Sequence, residues 1–361
     1  MNKKLLAAAV AGALALPAAA FAQSSVTISG FLKGGFEGVK YSNSAKSPAS
    51  ITGVADDSSR IIFNVREDLG GGLSAIGQVD MRVSIDMGAL AGTGNNHVGL
   101  QSTQWGRIFF GRQDLHYFGR ESNLTGKATL RADSISLLAF AGGGGTAIAG
   151  ATRTANVVHY TTPNWGGFSA IVAYSSSGGG GADADIGTGI RKGRAWNVAP
   201  VYNGSNWTLG YSYWNAKPDG GGSDQRGDRL FGSYRWGGFH VGLAWDKSKL
   251  KSSATGVITS DRTAWSLPIE YRWGPHEIMG HYTKARDDKA TPGVNDGAKM
   301  FAIAYAYNLS KRTSAAITYA KITNEAGAVY NFFTNVGLGV GVAPNPGEDP
   351  RLWALTLRHA F

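Results

Sequence analysis

Ala264-Trp265-Ser266-Leu267-Pro268-Ile269-Glu270-Tyr271-Arg272-Trp273 is the stretch that decides how this chain folds. Trp265, Leu267, Ile269, Tyr271 and Trp273 are apolar, while Ala264, Ser266, Pro268, Glu270 and Arg272 are small, polar or charged. A period of two puts these sets on opposite faces of an extended strand. Trp207, Leu209, Tyr211 and Tyr213 alternate in the same way with Thr208, Gly210 and Ser212, and Phe301, Ile303, Tyr305 and Tyr307 with Ala302, Ala304 and Ala306. The buried face of a soluble sandwich favours aliphatics. Here the apolar face keeps ending in Trp or Tyr, which gather where hydrocarbon meets headgroups.

The connectors between such strands come in two lengths. Tight turns fall at 68–72, 102–106, 163–167, 203–206, 236–238, 273–275 and 308–311. Longer polar or Gly-rich loops fall at 41–58, 87–95, 115–153, 178–192, 218–226, 250–260, 287–297 and 324–350. Together they join sixteen strands, an even number, with short turns at one end and long loops at the other. The expected fold is therefore all-β, a 16-stranded antiparallel transmembrane barrel. The first strand begins near Val26 and the last runs from Arg351 to Phe361, and pairing the two closes the cylinder. Closure is required because no backbone donor or acceptor can face lipid without a partner. Sixteen strands leave a lumen wide enough for water.

Composition agrees with an exported barrel. Lys3 and Lys4, the apolar run Leu5–Leu16 and Ala20-Phe21-Ala22 read as a removable export signal over 1–22, leaving a barrel domain over 23–361. The apolar run is shorter than the ~20 residues a spanning helix needs, and Pro17 breaks it. Cysteine is absent, so no disulfide staples the fold. With 52 glycines, 10 Trp, 14 Tyr and 15 Phe, the chain is too glycine-rich for a helical bundle and too aromatic for a disordered one. Without Lys3 and Lys4 the chain keeps 33 basic against 25 acidic residues. On an exported chain that excess points to an anionic solute rather than to nucleic acid.

Alternation also assigns charged side chains to the lumen. Arg60, Asn64 and Arg66 lie opposite Ile61, Phe63 and Val65, and Gln78, Asp80 and Arg82 lie opposite Val79, Met81 and Val83. Arg153 shares lumen parity against the outward Val158 and Tyr160. Strict alternation from Ile108 and Phe110 instead sends Arg112 to the lipid face. An arginine there costs roughly 2–4 kcal/mol at mid-bilayer, so the strand is expected to bulge or end before it. The alternative is an interfacial arginine reaching to headgroups.

Several blocks together resemble the trimeric general-diffusion porins of Gram-negative bacteria, and among them the anion-preferring β-proteobacterial type. They are Ser59-Arg60 through Glu67-Asp68-Leu69-Gly70-Gly71-Gly72-Leu73, Val98-Gly99-Leu100 with Phe110-Gly111-Arg112-Gln113, Asn156–Tyr160 with Pro163–Phe168, and Leu357–Phe361. The resemblance covers essentially the whole mature chain. It implies a homotrimer in the cell outer membrane, among outer-membrane lipid and lipopolysaccharide, with small anionic or neutral solutes passing through each barrel. It implies a third long loop, here about 115–153, folded inward to narrow the pore, although the Pro-Glu-Phe-Gly-Gly segment of better-known relatives is missing. Arg60, Arg112 and Arg153 match the family's basic constriction cluster. Glu121 and Asp133 are the loop's candidates for facing carboxylates, unless they pair locally with Arg120 and Arg131. A terminal aromatic such as Phe361 is what the barrel-assembly machinery recognises in that family.

No cofactor or catalytic apparatus is expected. His276 and His281 are five residues apart, which on a strand puts them on opposite faces, not in a zinc-protease arrangement. Gly337-Leu338-Gly339-Val340-Gly341 lacks the strand-helix unit of a nucleotide site. The leading expectation is an outer-membrane channel for passive diffusion of small hydrophilic solutes and ions, with anion preference. The alternatives are a substrate-specific channel for phosphate or organic acids, an outer-membrane enzyme, and a structural or adhesive barrel.

Overall fold

The computed structural model describes residues 24–42, 50–116, 132–138, 148, 151–177, 193–218, 223–332 and 344–361. The first strand segments are β1 (Ser25–Ser42), β2 (Ser50–Asp56), β3 (Arg60–Gly70), β4 (Leu73–Ser84), β5 (Ala89–Ala91) and β6 (Asn96–Ser102). Next come β7 (Gly106–Gln113), β8 (Thr154–Thr161), β9 (Phe168–Ser175), β10 (Arg194–Asn203), β11 (Trp207–Lys217) and β12 (Ser223–Trp236). The last are β13 (Phe239–Ser252), β14 (Ile258–Trp273), β15 (His276–Ala285), β16 (Ala298–Asn308), β17 (Thr313–Asn324) and β18 (Asp349–Ala360).

These segments form sixteen antiparallel staves, because β2 and β3 both pair along β1, and β5 and β6 both pair along β4. The two interruptions are repaired by side chains. At the first, Ser58 takes a left-handed φ of 63°. Ser59 Oγ then accepts from Lys33 N at 2.8 Å and donates to Lys33 O at 3.2 Å, standing in for the missing ladder bonds. At the second, Asn96 Oδ1 accepts from Asp80 N at 2.8 Å, and Asp80 Oδ2 accepts from Asn95 N at 3.3 Å.

Closure runs from Phe31 opposite Ala360 to Ser42 opposite Asp349, and Phe361 N adds a bond of 3.2 Å to Gly30 O. Gly30 has φ +149°, and a Cβ there would lie 2.2 Å from Arg60 O, so only glycine fits this closely packed seam. His359, which breaks the apolar row of the last strand, sits at the short-turn rim and meets Thr313 Oγ1 at 2.9 Å.

The outward face is an apolar band. Leu243, Leu355 and Leu357 expose more than half their surface, and Leu267, Ile269 and Trp273 are exposed while Ala264 and Ser266 are buried on the other face. A continuous apolar surface of this extent would aggregate in water and requires hydrocarbon around it. At the short-turn rim aromatics touch from stave to stave. Ring centroids lie 5.0 Å apart for Tyr202–Trp207, 5.2 Å for Trp236–Phe239, 4.3 Å for Phe239–Tyr271, 5.3 Å for Tyr271–Trp273 and 5.1 Å for Trp273–His276. A second belt nearer the long loops includes Tyr174–Trp196, Trp265–Tyr282 and Phe36–Trp353.

Strands outrun some of the expected loops. The hairpin of β1 and β2 extends to Ser42 and Ser50, inside the span read as loop 41–58, and β12 to β14 reach into 218–226 and 250–260. Those stretches carry polar residues on extended backbone beyond the hydrocarbon, where polarity no longer distinguishes strand from loop. The export signal, Glu121 and 337–341 lie outside the described residues.

Candidate functional site

The two stave interruptions flank one patch of the inner wall. Arg60 begins β3 directly after the first, and Arg82 of β4 lies directly opposite it on the same face. On the other side Arg60 faces Phe31 of β1, its guanidinium 4.8 Å from the ring centroid. The Arg358 guanidinium lies 4.7 Å from the same centroid. Phe31 thus serves two arginines as a cation–π platform, which orders them without neutralising them. Lys33 lies opposite Arg358 across the closing seam and pairs with Asp57 at 3.0 Å.

Arg153 lies within electrostatic reach of Arg60, and Arg112, opposite Asn96 of β6, within that of Arg153. Asp114, just past β7, accepts from Arg153 N at 2.8 Å, Thr152 Oγ1 at 2.7 Å and Asn95 Nδ2 at 3.1 Å. Together with the bond from Leu115 N to Ala151 O it clasps both ends of the 115–153 segment. Arg153 holds a left-handed φ of 42° at that clasp. The expected irregularity near Arg112 is present, since the β7–β8 register shifts between Gly111 and Gln113. The charges nearest Arg112 are Arg153 and Asp114, and those acting on Arg60 are Arg82, Asp80, Asp114 and Arg153. Lys33, Arg60, Arg82, Arg112, Arg153 and Arg358 are therefore linked electrostatically, interleaved with Asp56, Asp57, Asp80 and Asp114. Arg82 itself binds Asp80 at 3.1 Å.

Arg66 stands apart. It lies six residues along the stave from Arg60, about 20 Å at ~3.3 Å per residue, and its guanidinium donates to Ser74 Oγ at 3.1 Å near the short-turn rim.

Asp133 is buried at the start of a short 3₁₀ turn, Ser134–Ser136, and accepts from Ile135 N at 3.1 Å. Burial pushes its carboxyl up to about 7, opposed by that hydrogen bond and by the charge of Lys33. Beside it, Ala132 O meets His281 Nε2 of β15 at 2.8 Å, and Ala132, Leu137 and Leu138 pack with Ala264, Met300 and Ala320. Farther round the wall, His116 Nδ1 meets Ser212 Oγ at 2.8 Å. Burial, helped by Arg229, holds the His116 imidazole well below its usual range.

Lys33, Arg358, Asp57 and Asp114 were not among the site residues expected from sequence. Parity alone places Arg358 on the lumen face, but only the closing register shows that it meets Lys33 and Phe31. His276 and His281 do point to opposite faces: the former meets Tyr305 Oη on the outside, the latter Ala132 O within.

An inner wall dense in fixed cations, enclosed by a lipid-facing barrel, is the architecture of an ion-conducting channel. Residues 7–344 match the Gram-negative porin family. The chain belongs to that family. The porin is accordingly an outer-membrane channel and not an enzyme. Over its whole length it is 28% identical to outer membrane porin protein 32 of Delftia acidovorans, of which it covers 100%. The anion-selective porin from Comamonas acidovorans superposes with a TM-score of 0.77 at 23% identity, covering 94% of this chain and 100% of that one. OmpT of Vibrio cholerae in its trimer form gives 0.66 at 14% identity, covering 94% and 99%.

Proposed function

We propose that the porin passes small hydrophilic solutes and ions passively, with a preference for anions set by the wall around Arg60. One observation carries this reading: six cations, Lys33, Arg60, Arg82, Arg112, Arg153 and Arg358, are linked there and outnumber the carboxylates among them, Asp56, Asp57, Asp80, Asp114 and, beside Lys33, Asp133. Fixed charge at an aperture lowers the barrier for the opposite sign. Arginine suits the task because clustering does not discharge it. A structural neighbour is itself described as an anion-selective porin. The segment 115–153 narrows the passage, with Asp133 as its acidic side chain near Lys33, Glu121 as a further candidate, and Arg66 in the vestibule.

The channel works as a homotrimer. A neighbour described in trimer form supports this, and so does the outward face of β2 to β7. Its strand positions carry Val54, Phe63, Val79, Val98 and Phe110 but no Trp or Tyr, and only Trp105 of the β6–β7 turn is an exposed Trp or Tyr there among the described residues, so the belts that mark a lipid boundary thin over that sector. The remaining sector meets outer-membrane lipid and lipopolysaccharide. Export uses residues 1–22, and Phe361, seated on the closing seam, presents the last stave to the assembly machinery.

Liposome swelling tests the reading. Anionic solutes should enter faster than neutral ones of equal size, and rates should rise linearly with concentration. Saturation by one solute would favour the alternative, a channel specific for phosphate or organic acids.

A further inference from the structure

Beside Arg60, toward the long loops, the inner wall holds a cavity of about 290 Å³. It lies where β2 has ended and β3 has not yet begun, so Asp56, Ser58 and Ser59 border it on one side. The β4–β5 hairpin borders it on the other. In that ladder Ala91 stands opposite Arg82 and Ala89 opposite Ser84, which puts all four on the inward face. Ala89, Ala91 and Met87 make this side of the cavity apolar, and Arg153, just before β8, also lines it.

The charged groups of this cavity do not neutralise one another. Asp56 is 4% exposed; its Oδ2 accepts from Ser59 N at 3.3 Å, while its Oδ1 is buried with no hydrogen-bond partner. Arg82 donates to Asp80 Oδ2 at 3.1 Å through a terminal nitrogen, while its Nε is buried with no partner. Among the described residues, Arg153 forms no ion pair, and Asp56 pairs with neither arginine. The register explains the separation, since Asp56 faces Gly34 of β1 whereas Arg60, level with Arg82, faces Phe31, three residues or about 10 Å away along the stave. The hydroxyls are already engaged, Ser59 with Lys33 and Ser84 with Asp86 at 2.7 Å. Buried polar atoms are normally satisfied, so an open donor and an open acceptor lining one cavity mark it for a solute that carries both complements.

We propose that this cavity is a binding site for a zwitterionic amino acid with an apolar side chain, entered from the pore. The carboxylate of the solute meets Arg82 and Arg153, its ammonium donates to Asp56 Oδ1, and its side chain lies on Met87, Ala89 and Ala91. The three contacts select together. A simple anion leaves Asp56 without a donor and is repelled by it, and a simple cation meets two guanidiniums. A polar side chain finds no partner on alanine and methionine. Small-molecule sites run from roughly 300 to 1,000 Å³, and this cavity stands at the lower end, the size for one amino acid rather than a peptide. The proposal deepens the channel reading and rests on it in one respect, that the wall carrying Arg82 and Arg153 faces the solute path.

Saturation-transfer NMR of solutes added to the folded porin in detergent tests it, with leucine as the probe. Three relatives each lack one feature: isocaproate the ammonium, isoamylamine the carboxylate, and glycine the apolar side chain. Leucine should bind saturably and at least tenfold more tightly than any of the three. Asp56→Asn should weaken leucine at least tenfold without weakening isocaproate, and Ala91→Phe, which fills the cavity, should weaken leucine as much. No saturable binding of leucine, equal binding of leucine and isocaproate, or leucine binding left at the wild-type level by both substitutions would overturn the site. Conductance in potassium chloride, read on each preparation before titration, shows that the pore is folded and open. The reversal potential of the wild type, read at the same time, keeps a failure of the anion-channel reading separate from a failure of the amino-acid site.

Discussion

Arg60 and Arg82 stand directly opposite each other on neighbouring staves, both on the inner face. A like-charge pair of this kind costs stability, while the contact of Arg60 with Phe31 returns about 0.5–1 kcal/mol. The two effects are of similar size. Arg60→Gln should therefore leave urea-unfolding stability within about 1 kcal/mol of wild type. Its effect on selectivity should be larger. One unit charge some 8 Å from the ion path in water is worth about 0.5 kcal/mol, of opposite sign for an anion and a cation, so roughly fivefold in anion-over-cation permeability. A large loss of stability with unchanged selectivity would show Arg60 to be a packing residue.

Asp133 makes selectivity depend on pH. Its carboxyl, pushed up to about 7 by burial, is neutral at pH 5.5 and ionised at pH 8.5, where it adds a negative charge near Lys33. The anion preference should therefore fall as pH rises through 7, by up to roughly the same fivefold. Asp133→Asn should flatten the profile at its low-pH value. Because the folded pKa lies above the ordinary 3.8, the folded state holds this proton where the unfolded chain releases it. Stability from this group is full below about 4 and is lost as pH rises to about 7.

Asp114 clasps the ends of 115–153 through Arg153 N, Thr152 Oγ1 and Asn95 Nδ2. Hydrogen bonds to a charged group contribute about 1.5–3 kcal/mol each, and much of that acts locally on the clasp. Asp114→Ala should speed limited proteolysis within 115–153 severalfold and broaden single-channel conductance levels, with the barrel's melting little changed. Resistance equal to wild type would show that the clasp is not what holds the segment.

Tyr271 sits between Phe239 and Trp273 in the rim belt. At about 0.5–1.5 kcal/mol per ring pair, Tyr271→Ala should lower stability by about 1–3 kcal/mol in urea, read by tryptophan fluorescence, without altering conductance.

The barrel was legible because its signal is local. Leu267 and Ile269 alternate with Ser266 and Glu270 within a single stave, and turn lengths alternate along the chain. The breaks at 57–59 and 92–95 were not legible, since Ser59 and Asn96 mend the ladder through side chains whose partners, Lys33 and Asp80, come from other staves. Arg60 and Arg82 stand opposite each other on one face, as parity predicts, whereas Arg153 precedes β8 and the left-handed Asn156 interrupts the period used to place it. Lys33 and Arg358 joined them only through the closing register, which no local period encodes.

Anion preference governed by the Arg60 wall is the central claim, and the reversal potential of the porin in a planar bilayer under a potassium chloride gradient tests it most directly. The expected potential has the sign of a chloride-preferring pore and moves toward zero in the Arg60→Gln, Arg153→Gln double variant. A potassium-preferring sign in the wild type would contradict the account.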